Sequence, residues 1–112
     1  MTSTIIGITT ATELPVGHIF EIAFGPFTPR LTFLSASELQ FEIIAGAYLG
    51  MKEIVQYQVI NLRPGLFVVS WQEKSKTTVV HIEDFTQGKV HAHITSPDGS
   101  FSRLTGDIET SI

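Results

Sequence analysis

Trp71 and Glu73 stand two residues apart in an alternating segment, which puts them on one strand face with Phe67 and Val69. If that face is interior, Glu73 is a carboxyl group in apolar surroundings. Desolvation there raises its pKa toward neutrality and equips it for general acid–base work. The alternative is a solvated Glu73 near a strand end, paired with a lysine such as its neighbour Lys74. His81 and Glu83 share one face of the following segment with Thr77 and Val79, across Lys74-Ser75-Lys76. A tight hairpin brings the Trp71–Glu73 region beside Thr77–Val79 with His81 further along that face, and a glutamate–histidine pair lining a cavity can shuttle a proton. On alternation alone the default is the opposite, with Val80 and Ile82 buried and His81 and Glu83 wetted.

Two further groups invite a chemical reading. Tyr48 sits between Gly46 and Gly50, where a bend presents its hydroxyl at the mouth of a closed sheet. His91 and His93 share a strand face at a spacing used for metals. With His81 or Glu83 as third ligand they would suit Zn²⁺ or non-haem iron. Yet Val90, Ala92 and Ile94 form an apolar face opposite, which turns both histidines outward, so no metal site is expected. Cysteine is absent, which removes disulfides, thiolate nucleophiles and cysteine-based metal sites. No Gly-x-Gly-x-x-Gly, phosphate-loop or nucleophile-elbow pattern occurs, and no cofactor is expected.

The elements that must position these side chains are short strands. His18–Phe24 alternates with Phe20, Ile22 and Phe24 on one face, and Arg30–Leu34 follows a loop over 25–29 that holds two prolines. Leu39–Ile43, Glu53–Asn61, Leu66–Glu73, Thr77–Asp84, Lys89–Thr95 and Phe101–Ile108 complete eight candidate strands. Arg63-Pro64-Gly65 has type II turn chemistry, with proline presetting φ at the first central position and glycine supplying positive φ at the second. Only Thr10–Leu14 could open a helical turn, with Thr10 and Glu13 at capping-box spacing and Pro15 ending it. Turns roughly every 8–12 residues suit an antiparallel sandwich or barrel, and consecutive hairpins in so short a chain favour the barrel, because closure removes both exposed edges. The expectation is a single domain over residues 1–112, all-β: a plug or lid segment, helical or irregular, over 1–16 and an eight-stranded up-and-down barrel over 17–109. Eight strands leave room for a filled interior or one small ligand.

Composition narrows the partners. The 112 residues are 43% hydrophobic and 16% charged, below the roughly 25% charge typical of soluble domains, so apolar surface must face a ligand, a subunit or a generous core. Seven basic against eleven acidic residues, with no basic cluster, argue against nucleic acid, which demands a basic stripe. The N-terminus lacks the basic residues of a signal peptide, and Ile43–Met51 is about half of the ~20 residues a membrane helix needs. A cytoplasmic protein that does not engage membranes is the expectation.

The run Leu62–Glu73, which reads LRPGLFVVSWQE, continues through Thr77–Phe85, TTVVHIEDF, and Ile94–Phe101, ITSPDGSF. These stretches resemble the molybdenum cofactor biosynthesis protein F-like family of small calycin-type barrels, over about residues 17–108. The resemblance implies a lipocalin-like barrel with a central cavity, often dimeric, and little about chemistry. The strand from Gly65 to Glu73 is also similar to one in phenolic acid decarboxylases. That likeness puts their catalytic glutamate on Glu73, but their arginine would fall near Gly50 or Met51 and their tyrosine pair around Phe20 to Phe24, where neither guanidinium nor phenol exists. Decarboxylation of that kind is not expected. The interior placement of Glu73 draws most of its support from these resemblances.

Three functional readings follow. The first is a homodimeric barrel holding one small apolar or aromatic molecule, walled by Trp71, Phe67, Phe41, Tyr57, Phe20, Phe24 and Glu83. The second is a cofactor-free lyase, isomerase or cyclase with Glu73 as acid–base and His81 or Tyr48 assisting. The third is a structural or interaction module whose interior its own phenylalanines fill.

Overall fold

The computed structural model describes residues 9–110. Eight strands run in chain order: β1 (Ile19–Ala23), β2 (Phe27–Phe33), β3 (Glu38–Gly46), β4 (Lys52–Arg63), β5 (Leu66–Gln72), β6 (Thr78–Asp84), β7 (Lys89–Thr95) and β8 (Phe101–Thr110). Each pairs antiparallel with the next, and β1 pairs with β8 through Phe20–Thr110 to Ala23–Asp107, which closes the barrel. No helix occurs among the described residues, so none is long and apolar enough to cross a membrane. The barrel is eight-stranded, closed and antiparallel, as the turn spacing and alternation predict, and fits the calycin type that the resemblance implies.

Alternation sets what faces inward. Phe20 and Ile22 of β1, Leu31 and Phe33 of β2, Leu39, Phe41 and Ile43 of β3, and Val55 and Tyr57 of β4 are all buried. Phe67, Val69 and Trp71 of β5 and Val90 and Ala92 of β7 continue the core. On β6 the inward residues are Val79, His81 and Glu83, while Val80 and Ile82 are half-buried on the outer face. The wetted placement of His81 and Glu83 that alternation alone favours is therefore reversed. Cross-strand register explains it: Val79, His81 and Glu83 stand opposite Trp71, Val69 and Phe67, all buried.

The up-and-down path gives the barrel two unlike ends. One is built from the β2–β3, β4–β5 and β6–β7 turns. There Phe20 meets Phe33 at 6.0 Å and Phe85 at 5.3 Å between ring centroids, and Phe85 meets Phe67 at 6.0 Å. Such stacked and edge-on pairs stabilise beyond simple area burial. Residues 9–16 cross this end without helix; Leu14 joins the core and Ala11 packs against it. The helical turn expected at Thr10–Leu14 does not form: the Ala11 carbonyl accepts from the Gly65 amide at 2.9 Å, which spends that group on the β4–β5 turn. The rest of the expected plug, residues 1–8, lies outside the described residues. Gly65 has φ +80°, the value the turn requires, and a Cβ there would come within 2.4 Å of the Thr9 carbonyl oxygen.

The loops β1–β2, β3–β4, β5–β6 and β7–β8 frame the other end. Here the reading of 25–29 as loop is corrected, because β2 begins at Phe27. Pro29 is tolerated because the ladder shifts register between Thr28 and Pro29, so the missing N–H falls at a bulge.

Candidate functional site

The interior is packed at the Phe20–Phe67 end and hollow at the other. A cavity of about 470 Å³ opens there, within the roughly 300–1,000 Å³ range of small-molecule sites. Its wall includes Phe24, Phe41, Trp71, Glu73 and His81, with Tyr48 at the mouth. Trp71 and Phe41 stack at 6.3 Å, held by β5 and β3 on opposite sides of β4. Phe24, just beyond β1, meets Phe27 at 5.6 Å and His81 at 5.9 Å. It lies so close to β8 that a Cβ on Gly106 would stand 2.8 Å from its Cδ1 and 2.7 Å from the Ala23 carbonyl oxygen. Glycine at 106 is thus what lets Phe24 fold into the wall.

Glu73 is half-buried at the end of β5. The Trp71 indole N–H donates to its Oε2 at 3.3 Å. Burial pushes the Glu73 carboxyl up, the Trp71 hydrogen bond draws it back down, and the charge of Glu53 adds to the rise. Glu53 is itself held near by the Lys74 amide, which donates to its Oε2 at 2.7 Å. The ion pair of Glu73 with a lysine, the alternative reading, is not formed among the described residues.

His81 is 3% exposed and Glu83 is fully enclosed, with Nδ1 and Oε2 3.2 Å apart. Trp71 crosses the His81 ring edge to face at 4.9 Å, so the imidazole is fixed by a carboxyl on one side and indole on another. Burial pushes Glu83 up, and the hydrogen bond and charge of His81 only partly offset it. Its Oε1 has no hydrogen-bond partner. Tyr48 adopts φ +65°, an uncommon left-handed conformation for a bulky side chain, and its exposed ring meets Phe27 edge-on at 6.4 Å.

Residues 16–109 match the model of the MoaF-like family. The chain belongs to that family. A crystal structure of a proposed β-lactamase from Burkholderia vietnamiensis is similar to this MoaF-like chain, with TM-score 0.83 and 26% identity over 90% of this chain and 100% of that one. None of the curated proteins is significantly similar to it.

Of the residues singled out from sequence, the MoaF-like barrel brings Glu73, His81, Tyr48, Trp71, Phe41 and Phe24 to one cavity. It does not bring Phe20, Phe67, Tyr57 or Glu83 to that wall. Phe20 and Phe67 are sealed in the packed end, and Glu83 lies beneath His81. The Tyr57 hydroxyl donates to the Ser35 carbonyl at 2.8 Å, and its pKa is raised by burial and by Glu83. His91 is exposed on the outer face and pairs with the Thr105 hydroxyl at 2.9 Å, while His93 meets Phe101. No group of three or more His, Asp or Glu that could hold a metal occurs among the described residues. Sequence reasoning missed Phe27, Pro29, Ile94 and Leu104 as wall residues. The inward parity of Ile94 follows from the apolar face it shares with Val90 and Ala92, but not its place on the cavity, whereas the prolines hid Phe27. It also missed His18, which is buried against Phe20 and Phe85, has no partner at Nε2, and has its pKa lowered by burial.

Proposed function

We propose that this MoaF-like barrel binds one small, largely apolar or aromatic molecule in its hollow end. The observation that carries the reading is the cavity of about 470 Å³, walled mainly by aromatic and aliphatic side chains with Glu73, His81 and a few hydroxyls as its polar groups. Trp71, Phe41 and Phe24 form the contact wall, Phe20, Phe67 and Tyr57 support it from beneath, and Glu83 orients His81. That open space weighs against an interior wholly filled by phenylalanines. The resemblance described above supports a homodimer, and the chain's composition supports a cytoplasmic protein free of membrane and nucleic acid.

Trp71 is the single tryptophan, so its fluorescence reports on the cavity wall directly. A panel of small aromatic compounds is expected to give saturable fluorescence changes. Replacing Leu104 in the wall with Trp removes them when followed by amide NMR shifts. No saturable response from any compound by either method overturns the reading.

A second reading, a cofactor-free lyase, isomerase or cyclase, is favoured by one observation: Glu73 is half-buried and its carboxyl is raised toward the range useful for proton transfer. His81 or Tyr48 would assist. Turnover of a bound compound that Glu73→Gln abolishes, with an acid limb in its pH profile, is the expected sign. The β-lactamase description of the similar structure gains no support from the cavity serines: Ser75 Oγ is hydrogen-bonded to the Thr77 hydroxyl at 2.8 Å, and among the described residues no lysine or histidine is hydrogen-bonded to the hydroxyl of Ser75, Ser96 or Ser102.

A further inference from the structure

The charge around the cavity is one-sided. Among the described residues that line it there is no lysine or arginine, the one carboxylate is Glu73, and the one imidazole, His81, is paired with Glu83 behind it. Glu73 forms no salt bridge among the described residues; Lys74 and Lys76 follow it in sequence but are exposed and do not line the cavity. The charge that acts on it is another acid, Glu53 of β4, which accepts a hydrogen bond from the Lys74 backbone amide next to Glu73. Five aromatic rings, those of Phe24, Phe27, Phe41, Tyr48 and Trp71, also line it. Ring faces carry negative charge and attract cations, most strongly where water is displaced. The whole chain carries a net charge of −4, which draws cations toward it.

Resting on the reading of the hollow end as a ligand site, we infer that the cavity selects organic cations: an amine with a flat apolar body, its ammonium group beside Glu73 and its body against the aromatic wall. A cation there relieves the repulsion between Glu73 and Glu53. A carboxylate of the same shape meets two like charges and no lysine or arginine among the described wall residues, and His81 already has Glu83 as its acidic partner, so the site discriminates against organic acids by charge rather than by size.

The test compares three compounds of one scaffold: 2-phenylethylamine, 2-phenylethanol and 3-phenylpropanoate, titrated against Trp71 fluorescence and amide NMR shifts at neutral pH. The amine is expected to bind on the order of tenfold more tightly than the alcohol, and the carboxylate most weakly. Glu73→Gln is expected to bring the amine to the affinity of the alcohol. Added salt on the unaltered protein is expected to shrink the amine's advantage and leave the alcohol unchanged, which tests the inference without a variant. Equal affinity for amine and alcohol, or tightest binding of the carboxylate, overturns the charge selection while leaving a ligand site in place. Silence from all three compounds by both methods overturns the selection and the ligand site together.

Discussion

Glu83 toward the packed end and Glu73 at the hollow end are both carboxyls taken partly or wholly out of water, and the barrel treats them differently. Glu83 lies toward the packed end, fully enclosed, with one oxygen on His81 and the other without a partner. Glu73 lies at the hollow end, half-buried, hydrogen-bonded to Trp71 and facing open space. Burial raises both carboxyls. The difference is access: Glu83 answers only to its neighbours, whereas Glu73 is left able to meet something that enters. One end therefore carries stability and the other is free to carry function.

The largest effect that would break this division is a truncation at the packed end. Phe67→Ala removes a fully buried ring and is expected to cost about 3–5 kcal/mol in urea unfolding. Phe41→Ala, whose ring borders space that is already open, is expected to cost about 1–2 kcal/mol less. Equal losses would show that the hollow end is packed as tightly as the other. Gly65→Ala tests the seam that holds residues 9–16 against the packed end, through its positive φ and the 2.4 Å approach to Thr9. A loss of about 1–3 kcal/mol is expected.

The division was legible in the sequence only in part. Period-2 alternation marked eight strands and most of their inward residues, and Pro64-Gly65 marked the turn, because those signals are local. The inward turn of His81 and Glu83 was not local. It depends on the register with Phe67, Val69 and Trp71, and alternation of Val80 and Ile82 suggests the reverse. Which end stays hollow was illegible too, since it follows from summed side-chain volumes: Phe20, Phe33, Phe67 and Phe85 converge at one end, as the register of three strands and the β6–β7 turn dictates. Phe27 was hidden by the prolines beside it, whose effect on the ladder a bulge absorbs.

Glu83 sharpens the comparison through pH. Its native pKa lies above the ordinary 4.5, so the folded chain binds its proton more tightly than the unfolded one. The sign follows: this stabilisation is fully present below the unfolded pKa and is lost as pH rises toward the native value. Glu83→Gln keeps an acceptor for His81 and removes the titration. It is expected to flatten the fall of stability above about pH 4.5 by up to ~1.4 kcal/mol per pH unit, measured by urea unfolding across pH. An unchanged slope would mean that Glu83 titrates alike folded and unfolded.

Glu73→Gln provides the smallest and most discriminating effect. Its pKa is raised for the same reason, so its contribution falls with rising pH in the same direction. The group is partly solvated, however, and solvent screening reduces the stability it controls to a few tenths of a kcal/mol per pH unit. The same urea series is therefore expected to show little change in slope for Glu73→Gln beside a clear one for Glu83→Gln. Should the two variants flatten the curve equally, Glu73 would be a structural carboxyl sealed into the core like Glu83, and the hollow end would lose the one acidic group that a ligand could reach.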